Sequence, residues 1–287
     1  MSTLSLPSAS AAESDPEVAD ATAGVIEAVA PGAGLGDQIE VMNAGTELVA
    51  QNSSGVVAVS ADPTTAVLIG GEQSFTVGLP DLDGLSTPEI AADGTVVYDS
   101  ESDAQVAVQA FDNGVRFLAI IDSADAPERY PFPLEVPPGG SLALLEDGTV
   151  DLLDGTGAVV ATAPAPWAYD SEGRAVPTHF EIDGTTLVQV VEHAAGDFTY
   201  PIVADPSWWQ ITKCAGAIAW VVGSTVFAGA KILQIKRYIN ALGGVTQTAK
   251  LIMGATTAAE RARGIGKGLL TLAAIISGAD GVMSSCR

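Results

Sequence analysis

Two histidines and two cysteines are all that 287 residues offer for acid–base, nucleophilic or soft-metal chemistry. His179 and Glu181 fall on one face of a predicted strand, with Phe180 and Ile182 on the other. That is the ordinary alternation of polar-out and apolar-in. His193 follows Glu192 in a predicted turn. A general acid or base needs a partner within hydrogen-bond reach, and neither histidine has one predicted by spacing. Neither is spaced with Cys214 or Cys286 as zinc ligands are. The chain has no phosphate loop, nucleotide fingerprint or zincin helix. Asp81, Asp83 and Glu89 lack the full ligand series of a calcium loop and read as a solvated turn. We therefore expect no catalytic residue, cofactor or metal. A hydrolase of unknown type, using His179 or His193, is the enzymatic alternative.

The cysteines suit a structural role. Cys214 and Cys286 close a loop of 73 residues. In an exported chain such a pair predicts a disulfide. It would contribute roughly 4 kcal/mol by restricting the unfolded chain. Export is suggested by residues 1–12, where Ala9-Ser10-Ala11 reads as a small-x-small cleavage site at the end of a signal-peptide remnant. The expected location is secreted or associated with the cell envelope.

Charge divides the chain at Tyr200-Pro201-Ile202-Val203-Ala204-Asp205-Pro206-Ser207-Trp208-Trp209. Up to Asp205 there are 3 bases and 33 acids, a net −30; from Pro206 on there are 9 bases and 2 acids, a net +7. An amino-terminal part this acidic should repel nucleic acid and anionic lipid. The split predicts four segments. Residues 1–12 are the signal remnant, and 13–36 are an amphipathic lead-in helix and linker. Residues 37–205 are an acidic β-rich domain, and 206–287 are a cationic, apolar helical domain.

In the lead-in, Ser14-Asp15-Pro16-Glu17 is a capping box, and Val18, Ala21, Val25, Ile26 and Val29 recur at helical spacing. From Asp37 to Ala204, short alternating segments are separated by Asp93-Gly94, Asn113-Gly114, Asp147-Gly148, Asp154-Gly155 and Asp183-Gly184. These pairs favour tight hairpins. The expected fold class is α+β in two domains. The first is an antiparallel β-sandwich-like domain and the second a small disulfide-tied α-helical domain.

An internal repeat of ~70 residues runs through the strand region. Val106–Phe117 lies over Val176–Leu187, Leu118–Asp122 over Val188–Glu192, and Tyr130-Pro131 over Tyr200-Pro201. The unit predicted is a hairpin, a connection and a strand carrying Tyr-Pro. Proline lacks a ladder donor, so both Tyr-Pro steps suit edges or bulges.

Several of these residues carry a resemblance. They are Val115-Arg116-Phe117, Ile121–Pro127, Glu146-Asp147-Gly148, Ala165-Pro166-Trp167-Ala168, Val176-Pro177-Thr178, Asp183-Gly184 and, above all, Tyr200–Pro206 (YPIVADP). The run from Gly114 to Pro206 resembles a module of exported actinobacterial proteins, some of them YD-repeat or toxin-like. The resemblance covers about a third of the chain. It implies an exported β-module ahead of a variable module, and no catalytic residues.

After Pro206 the texture is helical. Cys214–Ala230 holds 17 residues without a charge, at the short limit for a membrane span. Trp208, Trp209 and Trp220 suit a membrane interface. Lys231, Lys236, Arg237, Lys250, Arg261, Arg263 and Lys267 can meet anionic headgroups. The expected function is that of a secreted, non-enzymatic protein. Its acidic β-module carries or shields a cationic helical tail that is membrane-active in the manner of a bacteriocin. Asp205, Pro206 and Ser207 are the expected cleavage junction for its release. The partner expected is an anionic membrane surface, with no nucleic acid. The alternative is a structural or binding protein of the envelope, with a glycan or protein partner and a plain helical bundle as its tail.

Overall fold

The computed structural model describes residues 16–30, 37–43, 47–52, 55–60, 62–63, 67–69, 74–111, 114–210, 239 and 248–249. Among the described elements, helix α1 (Pro16–Val29) is followed by eighteen strands. They are β1 (Met42–Asn43), β2 (Glu47–Asn52), β3 (Gly55–Ser60), β4 (Val67–Ile69), β5 (Phe75–Val77) and β6 (Glu89–Ile90). Next come β7 (Val96–Tyr98), β8 (Ala104–Phe111), β9 (Gly114–Ile121), β10 (Arg129–Glu135), β11 (Ser141–Leu144) and β12 (Val150–Leu153). The last six are β13 (Val159–Ala163), β14 (Trp167–Asp170), β15 (Thr178–Asp183), β16 (Thr186–Val191), β17 (Ile202–Asp205) and β18 (Ser207–Gln210).

Every strand pairing among the described residues is antiparallel, as the alternation and turn pairs predict. Gly94 and Gly148 take φ of 87° and 84° in their hairpin turns, a region open to glycine. One sheet has the order β1-β2-β3-β4-β5-β10-β16-β15. The other runs β11-β12-β13-β18-β9-β8-β7-β6, with β17 on β9 and β14 on β17. Both sheets feed one apolar core. Phe75 of the first meets Trp208 of the second edge-on at 5.8 Å, and Phe132 meets Phe117 at 5.9 Å.

Four strands lie outside the segments that the alternation marks, among them the two-residue β6; β10 was expected only from the Tyr130-Pro131 step of the repeat. β10 carries two prolines, which obscure its alternation, and β14 has four residues. β18 falls in the segment assigned to the tail. Along Arg129–Pro133, β10 is hydrogen-bonded to β16 alone, so Pro131 sits at a local edge.

The second face of the larger sheet is covered by α1. Ala19, Ala23 and Ile26 pack on Val97, Ala107, Leu118, Ile120 and Val203. Of the predicted stripe, Val25, Ile26 and Val29 pack on the sheet, while Val18 and Ala21 are exposed and Ala19 and Ala23 are buried in their place. The small side chains let the helix lie close to the strands. Two polar ties fix it: Asp20 Oδ1 accepts the Ala92 N–H at 2.8 Å, and Thr22 Oγ1 donates to Gln105 Oε1 at 2.6 Å.

Candidate functional site

The Tyr200–Trp209 junction is the site that the fold singles out. β17 and β18 pair with β9 in one continuous register, from Ile202↔Ile121 to Ser207↔Arg116 and Trp209↔Gly114. Pro206 therefore lies within one long strand, opposite Phe117, whose N–H donates to the Pro206 carbonyl at 2.9 Å. On the far side the neighbour changes at this point. β14 covers β17 through Asp205, and β13 covers β18 from Trp209. Pro206 and Phe117 face each other as a hydrogen-bonded pair, so the donor that proline lacks is one that β9 would have received, and the ladder to β9 gives up that one bond.

This corrects three expectations. The β-module extends through Gln210, since Ser207–Gln210 completes its sheet. Nor do Asp205, Pro206 and Ser207 form an exposed junction for a protease: all three are buried and held between strands. Trp208, expected at a membrane surface, is 0% exposed. Period-two alternation sends Ile202, Ala204 and Trp208 into the core and turns Val203, Asp205 and Ser207 to the opposite face. Trp209 lies on β18, between β13 and β9. Cys214, Cys286, Trp220, Lys231, Lys236, Arg237, Lys250, Arg261, Arg263 and Lys267 lie outside the described residues, as do residues 1–12. Of the tail, Ile239, Thr248 and Ala249 are described, and each is helical and buried.

On the face opposite the core, the junction joins a buried polar cluster. Asp205 Oδ2 accepts the Ser207 hydroxyl at 2.6 Å, and Oδ1 accepts the Trp167 N–H at 3.3 Å. Arg116, directly across from Ser207, is 4% exposed. Its guanidinium lies 5.3 Å from the Phe111 ring centre and 5.8 Å from that of Trp167. Arg116 Nη1 donates to Gln109 Oε1 at 3.4 Å, and Gln109 Nε2 donates to Thr95 Oγ1 at 2.9 Å. Burial lowers the Arg116 pKa, and the Asp205 charge opposes that shift. Burial pushes the Asp205 carboxyl up to about 6, against the opposing pull of Ser207, Arg116 and Trp167. The sequence named Arg116 and Asp205 only as parts of motifs. Their signal was parity: Arg116 shares a strand face with apolar Leu118 and Ile120, a costly place for a charge without a partner.

A second buried carboxylate anchors the loop before the junction. Asp170 is 0% exposed. Its Oδ1 accepts the N–H groups of Glu172 and Arg174 at 3.1 and 2.8 Å. Its Oδ2 accepts the Thr199 N–H at 3.2 Å and Arg174 Nε at 2.7 Å. Burial raises the Asp170 pKa, but these hydrogen bonds and the Arg174 charge outweigh it and hold the carboxyl below its ordinary range. Asp170→Ala strands those donors and is expected to cost about 3 kcal/mol in urea unfolding. A loss under about 1 kcal/mol would mean that solvent replaces the carboxylate freely.

The histidines are separated by the fold. His179 is exposed on β15, with Glu181 at 3.5 Å and Glu192 at 3.7 Å. Glu181 also pairs with Arg129 at 2.7 Å. His193 is fully buried, Nδ1 lying 3.0 Å from the Tyr200 hydroxyl and Nε2 3.2 Å from the Pro127 carbonyl. The carbonyl can only accept, so Nε2 carries the proton and Nδ1 accepts from Tyr200. His193 thus ties two loops to the start of the junction. Among the described residues no three acidic, histidine or cysteine side chains are grouped to hold a metal ion, and no helix is long and apolar enough to cross a membrane. A scan against protein-family models and a search of curated proteins each find no match.

Proposed function

We propose that this is an exported, non-enzymatic protein in which an acidic β-sandwich carries and masks a cationic helical tail that binds anionic membranes. One observation carries this reading: the charge division. Pro206 to Gln210 contains no charge, so ending the module at Gln210 leaves the division as it was. Residues 1–210 hold 3 bases and 33 acids, −30; residues 211–287 hold 9 bases and 2 acids, +7. Fields of opposite sign on one chain attract, and the acidic part repels an anionic bilayer. The shared core of the two sheets supports the sandwich. The ~70-residue repeat has a structural counterpart in the hairpins β8–β9 and β15–β16. The strand after each hairpin pairs with the other one: β10 with β16, and β17 with β9. The Cys214–Cys286 disulfide and the helical bundle complete the proposal.

Masking is tested on vesicles of anionic lipid. Residues 211–287 alone are expected to bind and release an entrapped dye, while the whole protein does so weakly. Equal inactivity of the two would overturn the reading. The second reading, an envelope protein that binds glycan, has one observation in its favour. Trp167 and Tyr169 stand on β14, which pairs with β17 and is bridged to Ala175 through Tyr169, and their rings are 5.7 Å apart at an angle of 32°. Paired aromatic rings suit a sugar face. Glycan binding abolished by Tyr169→Ala would favour this reading over masking.

A further inference from the structure

We propose that residues 211–287 dock on the outer face of the β11-β12-β13 meander, where the buried carboxylate of Asp151 receives one of their bases. Parity fixes the face. Val150 and Leu152 of β12, and Ala161 and Ala163 of β13, enter the core. Asp151 and Thr162 alternate with them and turn to the opposite side, where Thr162 Oγ1 donates to Asp151 Oδ1 at 2.7 Å. A side turned from the core should face water, yet Asp151 is 7% exposed and Thr162 0%. The residues in register with Asp151 are Ala143 on β11 and Thr162 on β13. Both side chains are too short to cover a carboxylate. Helix α1 packs elsewhere, on residues of β7, β8, β9 and β17. The cover over Asp151 therefore comes from beyond the meander and α1.

Charge and position name the occupant. A buried carboxylate calls for a counter-charge. Residues 1–210 hold 3 bases, and each serves another acid: Arg129 pairs with Glu181, Arg174 with Asp170, and Arg116 acts on Asp205. Residues 211–287 hold the other 9, and Thr162 is not the only group that Asp151 meets. The strand pairing ends at Gln210, in register with Ala161, and Trp209 is in register with Thr162. β18, β13 and β12 are successive strands, so the exit lies two strand spacings, about 10 Å, from Asp151. Lys213, the first base past Gln210, is 3 residues on, which is enough extended chain to reach that far. The proposal deepens the masking reading and rests on its charge division, since docking on this face covers part of the tail's cationic surface.

The test puts a photo-reactive side chain on that face of the whole protein. Ala143→p-benzoylphenylalanine sets the probe directly across from Asp151. Met42→p-benzoylphenylalanine is the rival position, an apolar side chain 60% exposed at the far edge of the other sheet. After irradiation the protein is digested and its cross-links are mapped by mass spectrometry. Position 143 is expected to cross-link to peptides of 211–287, and position 42 to do so far less. Asp151→Lys, added to the 143 probe, should cut that cross-link about tenfold or more with unchanged near-ultraviolet circular dichroism. Cross-links from 143 confined to residues 1–210, or joining two chains, overturn the proposal. Equal yields from 143 and 42, or a yield that Asp151→Lys leaves unaltered, do so too. If Asp151→Lys does not fold, the map from position 143 decides alone. No lipid is present, so this outcome is separate from the vesicle result. A docked tail that is inactive on vesicles when freed sinks masking and keeps docking. An active tail that never meets position 143 does the reverse.

Discussion

Trp208→Ala is expected to lower the unfolding free energy by about 3–5 kcal/mol. The ring is 0% exposed and meets Phe75 of the opposite sheet edge-on at 5.8 Å. Its indole nitrogen has no hydrogen-bond partner among the described residues, so packing alone holds it. Trp208→Phe, which keeps an aromatic ring at that contact, should cost less than Trp208→Ala. The strand that bears Trp208 matters as much as the ring. β13 pairs with β12 on one side and β18 on the other, so β18 is the hydrogen-bonded link between the β11–β13 meander and β9. A chain ended after Asp205 should fail to reach a cooperative fold, and one ended after Gln210 should reach it. Urea unfolding followed by far-ultraviolet circular dichroism separates the two. A fully stable 1–205 fragment would place the end of the module where the charge pattern first suggests it.

The second large effect is on pH dependence. The Asp205 carboxyl rises from its ordinary value of 3.8 to about 6 in the folded protein. The native state then binds the proton more tightly than the unfolded chain does. Between those two values stability must fall as pH rises, by about 3 kcal/mol in all from this group. Asp122 is also raised to about 6, by partial loss of water around its carboxyl and by the charges of Asp99 and Asp103, and acts in the same direction. It is surface-exposed, so solvent screens its share. Asp170 opposes them at the acid end: its contribution is present above 3.8 and is lost as pH falls through its lowered folded value. Stability should therefore peak in mild acid.

Arg116→Met tests the origin of that peak. With Asp205 ionised, the variant leaves a buried carboxylate without its counter-charge and should cost about 3–5 kcal/mol near pH 7.5. With Asp205 protonated, near pH 5, the cost should be about half that or less. Denaturant midpoints for wild type and variant across that range decide the matter. A cost independent of pH would mean that Arg116 acts through packing against Phe111 and Trp167 rather than through charge.

Much of the β-module was legible in the sequence because its signals are local. Alternation marks most strands, and the Asp-Gly pairs mark turns with a backbone reason for glycine. The pairing of the hairpins was not legible. β10 with β16 and β17 with β9 are contacts between residues 53 to 85 positions apart, and several antiparallel registers satisfy the same alternation. The first half of the helix stripe, Val18 and Ala21, was misplaced for a related reason. Alanines give a weak apolar signal, yet they are what permits close approach to the sheet.

The sequence by itself determined the antiparallel β character, the charge division and the identity of every group at the junction. Only the tertiary structure decided what those groups do. Two tryptophans after a proline satisfy a membrane interface and a protein core equally well, because apolarity carries no address. Pro206 reads locally as the end of a strand, and the register with β9, unbroken from Ile202↔Ile121 to Trp209↔Gly114, is what carries the strand through it. Likewise, an aspartate before a proline is solvated in one fold and buried beside an arginine in another. The difference is long-range packing, which sets solvent exposure, and exposure in turn sets charge, proton affinity and reactivity.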